Sequence, residues 1–127
     1  PQARPAVRPR RVLIVEDESL VALELSQELA EDGWEIVGPA NTLAEALRIA
    51  AETPELGAAL LDVDLHGRPV YPLAEALQAR GVPFIFCTGY ELADPDGRFQ
   101  GAQVLRKPFD PGAVRMRLDA LIAAEPH

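Results

Sequence analysis

The sequence predicts an α/β domain built on a doubly wound, five-stranded parallel sheet, a (βα)5 unit. Three observations predict it. Short apolar runs without polar alternation, "RVLIV", "AALLDV" and "VPFIFC", read as strands buried on both faces. The segments between them carry apolar residues at helical spacing with start and stop signals at their ends. Strand and helix alternate along the chain, and right-handed crossovers turn that alternation into a parallel sheet covered on both sides. A length of 127 residues suits one such domain.

The opening "PQARPAVRPR" has three prolines in ten residues, so 1–10 is expected to be a flexible Pro/Arg-rich arm or linker and 11–125 the folded domain. "RVLIV" (11–15) is the first strand. Ser19 is placed to cap a helix that runs through Asp32, with Gly33 to end it and Val21, Leu25 and Leu29 as its apolar stripe. "WEIVG" (34–38) is the second strand. Thr42 and Glu45 form a T-x-x-E capping box that opens a helix to about Glu52. "AALLDV" (58–63) is the third strand, followed by a turn and a helix through Ala79 that Gly81 stops. "VPFIFC" (82–87) is the fourth strand. The stretch "TGYELADPDGRFQGA" is rich in turn residues and predicts a short or irregular fourth helix near 91–93. "QVLR" (103–106) is the fifth strand, and Asp110 with Pro111 opens the last helix.

Composition narrows the function classes. The net charge is −8, and four arginines without an acid fall in residues 1–11, leaving eight basic groups against twenty acidic ones in the rest. That balance excludes a general nucleic-acid binder, which shows a basic face. The single cysteine, Cys87, excludes an internal disulfide and fits a cytoplasmic location. No apolar run approaches the ~20 residues of a membrane span, and no signal peptide is visible.

Ligands of doubly wound sheets bind beyond the carboxyl ends of the strands. There the sequence puts Glu16 and Asp17 after strand one, Asp62 at the end of strand three with Asp64 two residues on, Thr88 after strand four and Lys107 after strand five. Lys107 is the only lysine beside eleven arginines. Carboxylates ~5 Å apart repel by roughly 3 kcal/mol per pair at an effective dielectric near 20, so Glu16, Asp17 and Asp62 together need a proton, an ammonium or a divalent cation. Oxygen donors without His or Cys favour Mg²⁺ or Mn²⁺ over zinc. A carboxylate surrounded by a metal, a hydroxyl and a compact ammonium suits a phosphoryl group that the carboxylate accepts. His66 reads as a solvated loop residue, and Trp34, Tyr71 and Cys87 as packing residues.

In this arrangement the chain resembles the receiver domain of bacterial response regulators. "LIVEDE", "LLDVDL", "CTG" and "RKPF" match that family's site motifs in order, from about Arg11 to Glu125. "PFIFCTGY" is similar to the signature of its FATGUY subgroup, whose members are often single-domain receivers. The resemblance implies a flavodoxin-like fold of strand order 2-1-3-4-5. It implies that Asp62 is the phosphoacceptor, that Asp17 binds Mg²⁺ directly and Glu16 through water, and that Asp64 offers its backbone carbonyl to the metal. Thr88 and Lys107 would contact phosphoryl oxygens. The donor would be a histidine kinase or a histidine phosphotransfer protein, with slow autodephosphorylation afterwards and no turnover of an external substrate. A monomer or weak dimer is expected. Two features depart from the family. Val104 stands where an aromatic usually precedes the lysine, with Tyr90 offered instead, and Asp64 stands where the subgroup more often has Asn.

Other readings fit parts of the pattern. "DVDL" resembles the paired aspartates of haloacid-dehalogenase phosphatases, but that motif should end the first strand and here ends the third. A receiver-like interaction module that is never phosphorylated shares the fold. The start at Pro1 and the short tail "AAEPH" are expected of a chain with no DNA-binding output domain, either free-standing or the C-terminal receiver of a hybrid histidine kinase.

Overall fold

Alternating faces of one parallel sheet organise the chain. The computed structural model describes residues 8–89, 97–99 and 101–123. Among them it has strands β1 (Arg11–Val15), β2 (Glu35–Ala40), β3 (Ala58–Asp62), β4 (Asp64–Leu65), β5 (Arg68–Pro69), β6 (Phe84–Thr88) and β7 (Gln103–Arg106), and helices α1 (Ser19–Glu31), α2 (Leu43–Glu52), α3 (Tyr71–Ala79) and α4 (Pro111–Ala123). The main sheet has the order β2-β1-β3-β6-β7, every pair parallel, which is the expected 2-1-3-4-5 order of its five strands. The expected fourth helix and Tyr90 lie outside the described residues.

The period of two along each strand explains the unbroken apolar runs. Val12, Ile14, Leu60 and Ile85 face one layer, which Leu25 and Leu29 of α1 and Val114 and Leu118 of α4 complete. Leu13, Val15, Leu61 and Phe86 face the other, closed by Ala46 and Ala50 of α2 and by Leu73 and Leu77 of α3. No helix among the described residues is long and apolar enough to cross a membrane.

Three local expectations change. Ser19 does not cap α1. The cap position is Glu18, without a side-chain capping bond, because the Glu18 N–H donates to the Glu16 carboxylate at 3.1 Å and its carbonyl accepts from Ala22 at 3.0 Å. The turn out of β1 is thus held by a site residue and the helix starts one residue early. β2 runs past the expected stop through Pro39, with a register shift against β1 between Leu13 and Val15. An edge strand tolerates a residue without a donor. The stretch after Asp62 is a hairpin, β4 against β5, where only a turn was expected. Its connecting residues His66 and Gly67 both have positive φ, 53° and 83°, as a tight two-residue hairpin requires. Half of the capping box forms as expected: the Glu45 N–H donates to Thr42 Oγ1 at 3.1 Å, while the Glu45 carboxylate accepts from the N–H of Asn41, one residue before the cap, at 3.3 Å.

Arg10, at the end of the proline-rich arm, packs against the domain. Its guanidinium lies 4.8 Å from the Trp34 ring centroid and pairs with Asp32 at 2.8 Å and Asp119 at 3.3 Å, while the Trp34 indole donates to Asp119 at 3.1 Å. The incoming chain crosses Gly57 so closely that a Cβ there would fall 1.7 Å from the Pro9 carbonyl oxygen. Gly57→Ala is therefore expected to destabilise the fold by about 1–3 kcal/mol, since neither backbone can give way cheaply. Urea unfolding followed by the fluorescence of Trp34, the only tryptophan, measures this as a lower midpoint.

Candidate functional site

The carboxyl edge of the sheet gathers its polar residues at one place. Asp62 is the last residue of β3 and Thr88 the last of β6, while Lys107 directly follows β7. Parallel register aligns these ends: Asp62 pairs with Cys87, and Thr88 with Arg106. The Lys107 N–H donates to the Thr88 carbonyl at 2.8 Å, and the Glu16 N–H to the Ala40 carbonyl at 2.9 Å, which extends the ladders into the site. Sequence dictates this locally, because each apolar run ends where its first polar residue leaves the core.

The structure brings Glu16, Asp17, Asp62, Thr88 and Lys107 together. Glu16, Asp62 and Thr88 are the buried polar residues of the described chain, at 2%, 7% and 2% exposure. Lys107 Nζ donates to Glu16 Oε2 at 3.0 Å, to Glu18 Oε1 at 2.8 Å and to Asp62 Oδ2 at 3.3 Å. Glu16, Asp17 and Asp62 each offer a carboxylate oxygen within 4.8 Å of the others. A cleft of about 410 Å³ opens above them, lined by Asp17, Glu18, Asp62, Asp64, Thr88, Gly89 and Lys107. Asp64 stands at its rim with an exposed side chain, and its N–H donates to Asp62 Oδ1 at 3.3 Å. Val104 is half-buried and packs beside the Leu13–Phe86 layer.

The acids divide the charge unequally. Burial, the hydrogen bond with Glu16 and the negative field of Glu16 push the Asp62 carboxyl up to about 8, against the pull of Lys107. Burial also opposes the ionisation of Asp17, but its hydrogen bonds with Asp62 and the His66 N–H outweigh that and hold it below the usual carboxylate range. Burial works against charge on Lys107 too. The hydrogen bonds of Glu18 and Glu16 overcome it, so the ammonium is held above its ordinary pKa. Burial pushes the Cys87 thiol up to about 12, which leaves it unionised and inert beside the site.

Two participants were not assigned to the site from the sequence. Glu18 completes the shell of Lys107, and the signal was the third acid of "LIVEDE". The His66 N–H donates to Asp17 Oδ2 at 3.1 Å, with the imidazole Nδ1 3.6 Å from the same oxygen. Its side chain is exposed as expected, but the hairpin that aims its backbone at Asp17 left no local signal.

Buried acids on separate strand ends, bridged by one ammonium at the edge of a doubly wound sheet, form the edge site of a receiver-type fold. No protein-family model matches the chain. Among solved structures it is similar to SdrG from Sphingomonas melonis Fr1, at 38% identity and a TM-score of 0.76, covering 94% of this chain and 99% of that one. SdrG is also described in a BeF3-activated conformation, 41% identical over 92% of this chain and 99% of that one, with a TM-score of 0.73. The receiver domain of the PhyR response regulator from Erythrobacter litoralis matches with a TM-score of 0.81 at 28% identity, covering 94% and 96% of the two chains. The transcriptional regulatory protein PdtaR of Mycobacterium tuberculosis is 34% identical over 109 residues, 82% of this chain and 52% of that protein. The chain thus spans about half the length of that curated relative. The chain belongs to the response-regulator receiver domains of two-component signalling.

The raised pKa of Asp62 has a consequence for the metal-free chain. Its folded value, about 8, lies above the ordinary 3.8, so the folded state holds a proton that the unfolded state loses. This contribution to stability is full below pH 3.8 and is lost as pH rises to about 8. In chelator-containing buffer near pH 8, Asp62→Asn is expected to raise Tm by about 3–6 °C, and the gain should shrink towards pH 5. Calorimetry of both chains across this pH range checks it.

Proposed function

We propose that this receiver accepts a phosphoryl group on Asp62 from a phosphohistidine of a histidine kinase or a histidine phosphotransfer protein, and that the reaction depends on Mg²⁺, with Mn²⁺ as a substitute. The observation that carries the reading is Lys107 Nζ at 3.3 Å from Asp62 Oδ2, in a cleft also lined by Thr88 and Asp17. The donor set fits the cation: three carboxylate oxygens within 4.8 Å, with neither a histidine nor a cysteine in the group. Asp17 and Glu16 would hold it together with Asp62, and Asp64 would add its backbone carbonyl, as in the family that the sequence resembles. Once bound, the cation supplies positive charge against the phosphoryl oxygens and favours the ionised form of Asp62.

The residues of the chain do the rest. A carboxylate oxygen of Asp62 attacks phosphorus; the new O–P bond forms as the P–N bond to the donor imidazole breaks, and the imidazole leaves with the bond's electron pair. Lys107 and the Thr88 hydroxyl stabilise the equatorial oxygens as charge spreads over them. Water later attacks phosphorus, the Asp62 carboxylate leaves, and phosphate is released. The similarity to SdrG, which is described in a BeF3-activated conformation, supports a pocket for a phosphoryl-like group at this place. "PFIFCTGY" supports assignment to the FATGUY subgroup.

Incubation with phosphoramidate and Mg²⁺ should add the mass of one phosphoryl group to the peptide containing Asp62. Asp62→Asn or EDTA should abolish the gain. Absence of labelling in the wild-type chain would favour an interaction module that is not phosphorylated. Gly89 lines the cleft, and a Cβ built on it meets nothing within 4 Å among the described residues. Gly89→Val fills that opening and is expected to slow hydrolysis of the aspartyl phosphate several-fold by obstructing water, as followed by the decay of the labelled species.

A further inference from the structure

An ammonium has three N–H donors, and in this chain three carboxylates take them: Glu16, Glu18 and Asp62. A phosphoryl oxygen on Asp62 needs one of those donors, so one acid must give way. The three differ in what release costs. The side chains of Glu16 and Asp62 are 2% and 9% exposed, and either, released from Lys107 with no cation bound, would be a buried carboxylate without a counter-charge. The Glu18 side chain is 60% exposed, and letting go returns it to water at little cost. At 2.8 Å it nevertheless makes the shortest of the three contacts with Lys107.

Released Glu18 stays in the way. Its side chain belongs to the wall of the cleft that leads to Asp62, Thr88 and Lys107. Its backbone is pinned, since the N–H donates to Glu16 and the carbonyl caps α1. The displaced carboxylate therefore remains at the mouth, beside the path of an incoming phosphoryl group, and repels a donor in proportion to the donor's charge.

We propose that Glu18 is a specificity-determining residue of this receiver: it occupies the Lys107 hydrogen bond that the phosphoryl oxygen takes, and its charge at the cleft mouth selects against small, doubly charged phosphodonors. The proposal rests on Asp62 being the phosphoacceptor. A donor that presents a cationic group beside its phosphoryl group gains a partner in the displaced carboxylate, which a small dianion does not. Glu18 acts through Lys107 and through its field, not on the reacting atoms.

The test compares acetyl phosphate, a dianion near neutral pH, with phosphoramidate, a monoanion, at saturating Mg²⁺. Labelling rates are measured for the wild-type chain, Glu18→Gln and Glu18→Asp. Gln keeps the shape of the side chain and leaves the helix cap intact, since the Glu18 side chain makes no capping bond. Glu18→Gln should speed acetyl phosphate about fivefold to tenfold and phosphoramidate about twofold to threefold, and should flatten the salt dependence of the first rate. Glu18→Asp, which keeps the charge, should keep the wild-type ratio of the two rates. An unchanged donor ratio and salt dependence in Glu18→Gln, with the wild-type chain labelled normally, overturns this inference alone. An equal change of ratio in Glu18→Asp and Glu18→Gln also overturns it, since charge would then not be the cause. Failure of both donors to label the wild-type chain overturns the phosphoacceptor reading and this inference with it.

Discussion

The carboxyl edge of this sheet rests on one counter-charge. The strands that deliver Glu16 and Asp62 are apolar from Val12 to Val15 and from Ala58 to Leu61, so they bring two acids into a place that water scarcely reaches. Unpaired, such groups cost several kcal/mol each. Lys107 compensates them, and the backbone fixes where it stands, because its N–H extends the β6–β7 ladder onto the Thr88 carbonyl. A chain that otherwise uses arginine keeps a lysine here. A single nitrogen can face Glu16, Glu18 and Asp62 at once, whereas a guanidinium spreads its donors over a planar fork.

The compensation is incomplete, and function follows from that. One ammonium cannot neutralise Glu16, Asp17, Glu18 and Asp62, so the cluster keeps a proton on Asp62 while Asp17 stays ionised. Added positive charge lowers the energy of the whole group. Under the proposed function, such a site would be organised for a cation and a phosphoryl group before either arrives. Of the three carboxylates on Lys107, Glu18 is the exposed one, and the proposed donor selection rests on the same electrostatic imbalance.

The hairpin after Asp62 adds a second link to the acid cluster. Its two residues of positive φ turn the chain back over the site, and the His66 N–H reaches Asp17 from above. Asp17 is thereby held from a segment far from it in sequence, and the loop that follows Asp62 shares a hydrogen bond with the acid cluster. At the opposite edge, Arg10 binds Trp34, Asp32 and Asp119, so the chain entering β1 is joined to α4.

Strand identity, order along the chain and the polar residue at each strand end could be read from sequence because they depend on local contrast. A continuous apolar run followed by an acid, a threonine or the lone lysine marks a buried strand and its emergent end. β1 and β7 have the expected bounds, and Glu16, Asp17, Asp62, Thr88 and Lys107 meet where the strand-end rule put them. Tertiary structure decided what local contrast cannot encode. Pro39 lies within β2 because that strand is on the edge, Ser19 loses the cap because Glu16 already holds the turn, and Glu18 and His66 join the site across 89 and 49 residues of chain. Each depends on the direction in which a side chain or an N–H points once the sheet is assembled, and an exposed acid or a turn histidine carries no sign of its future partner.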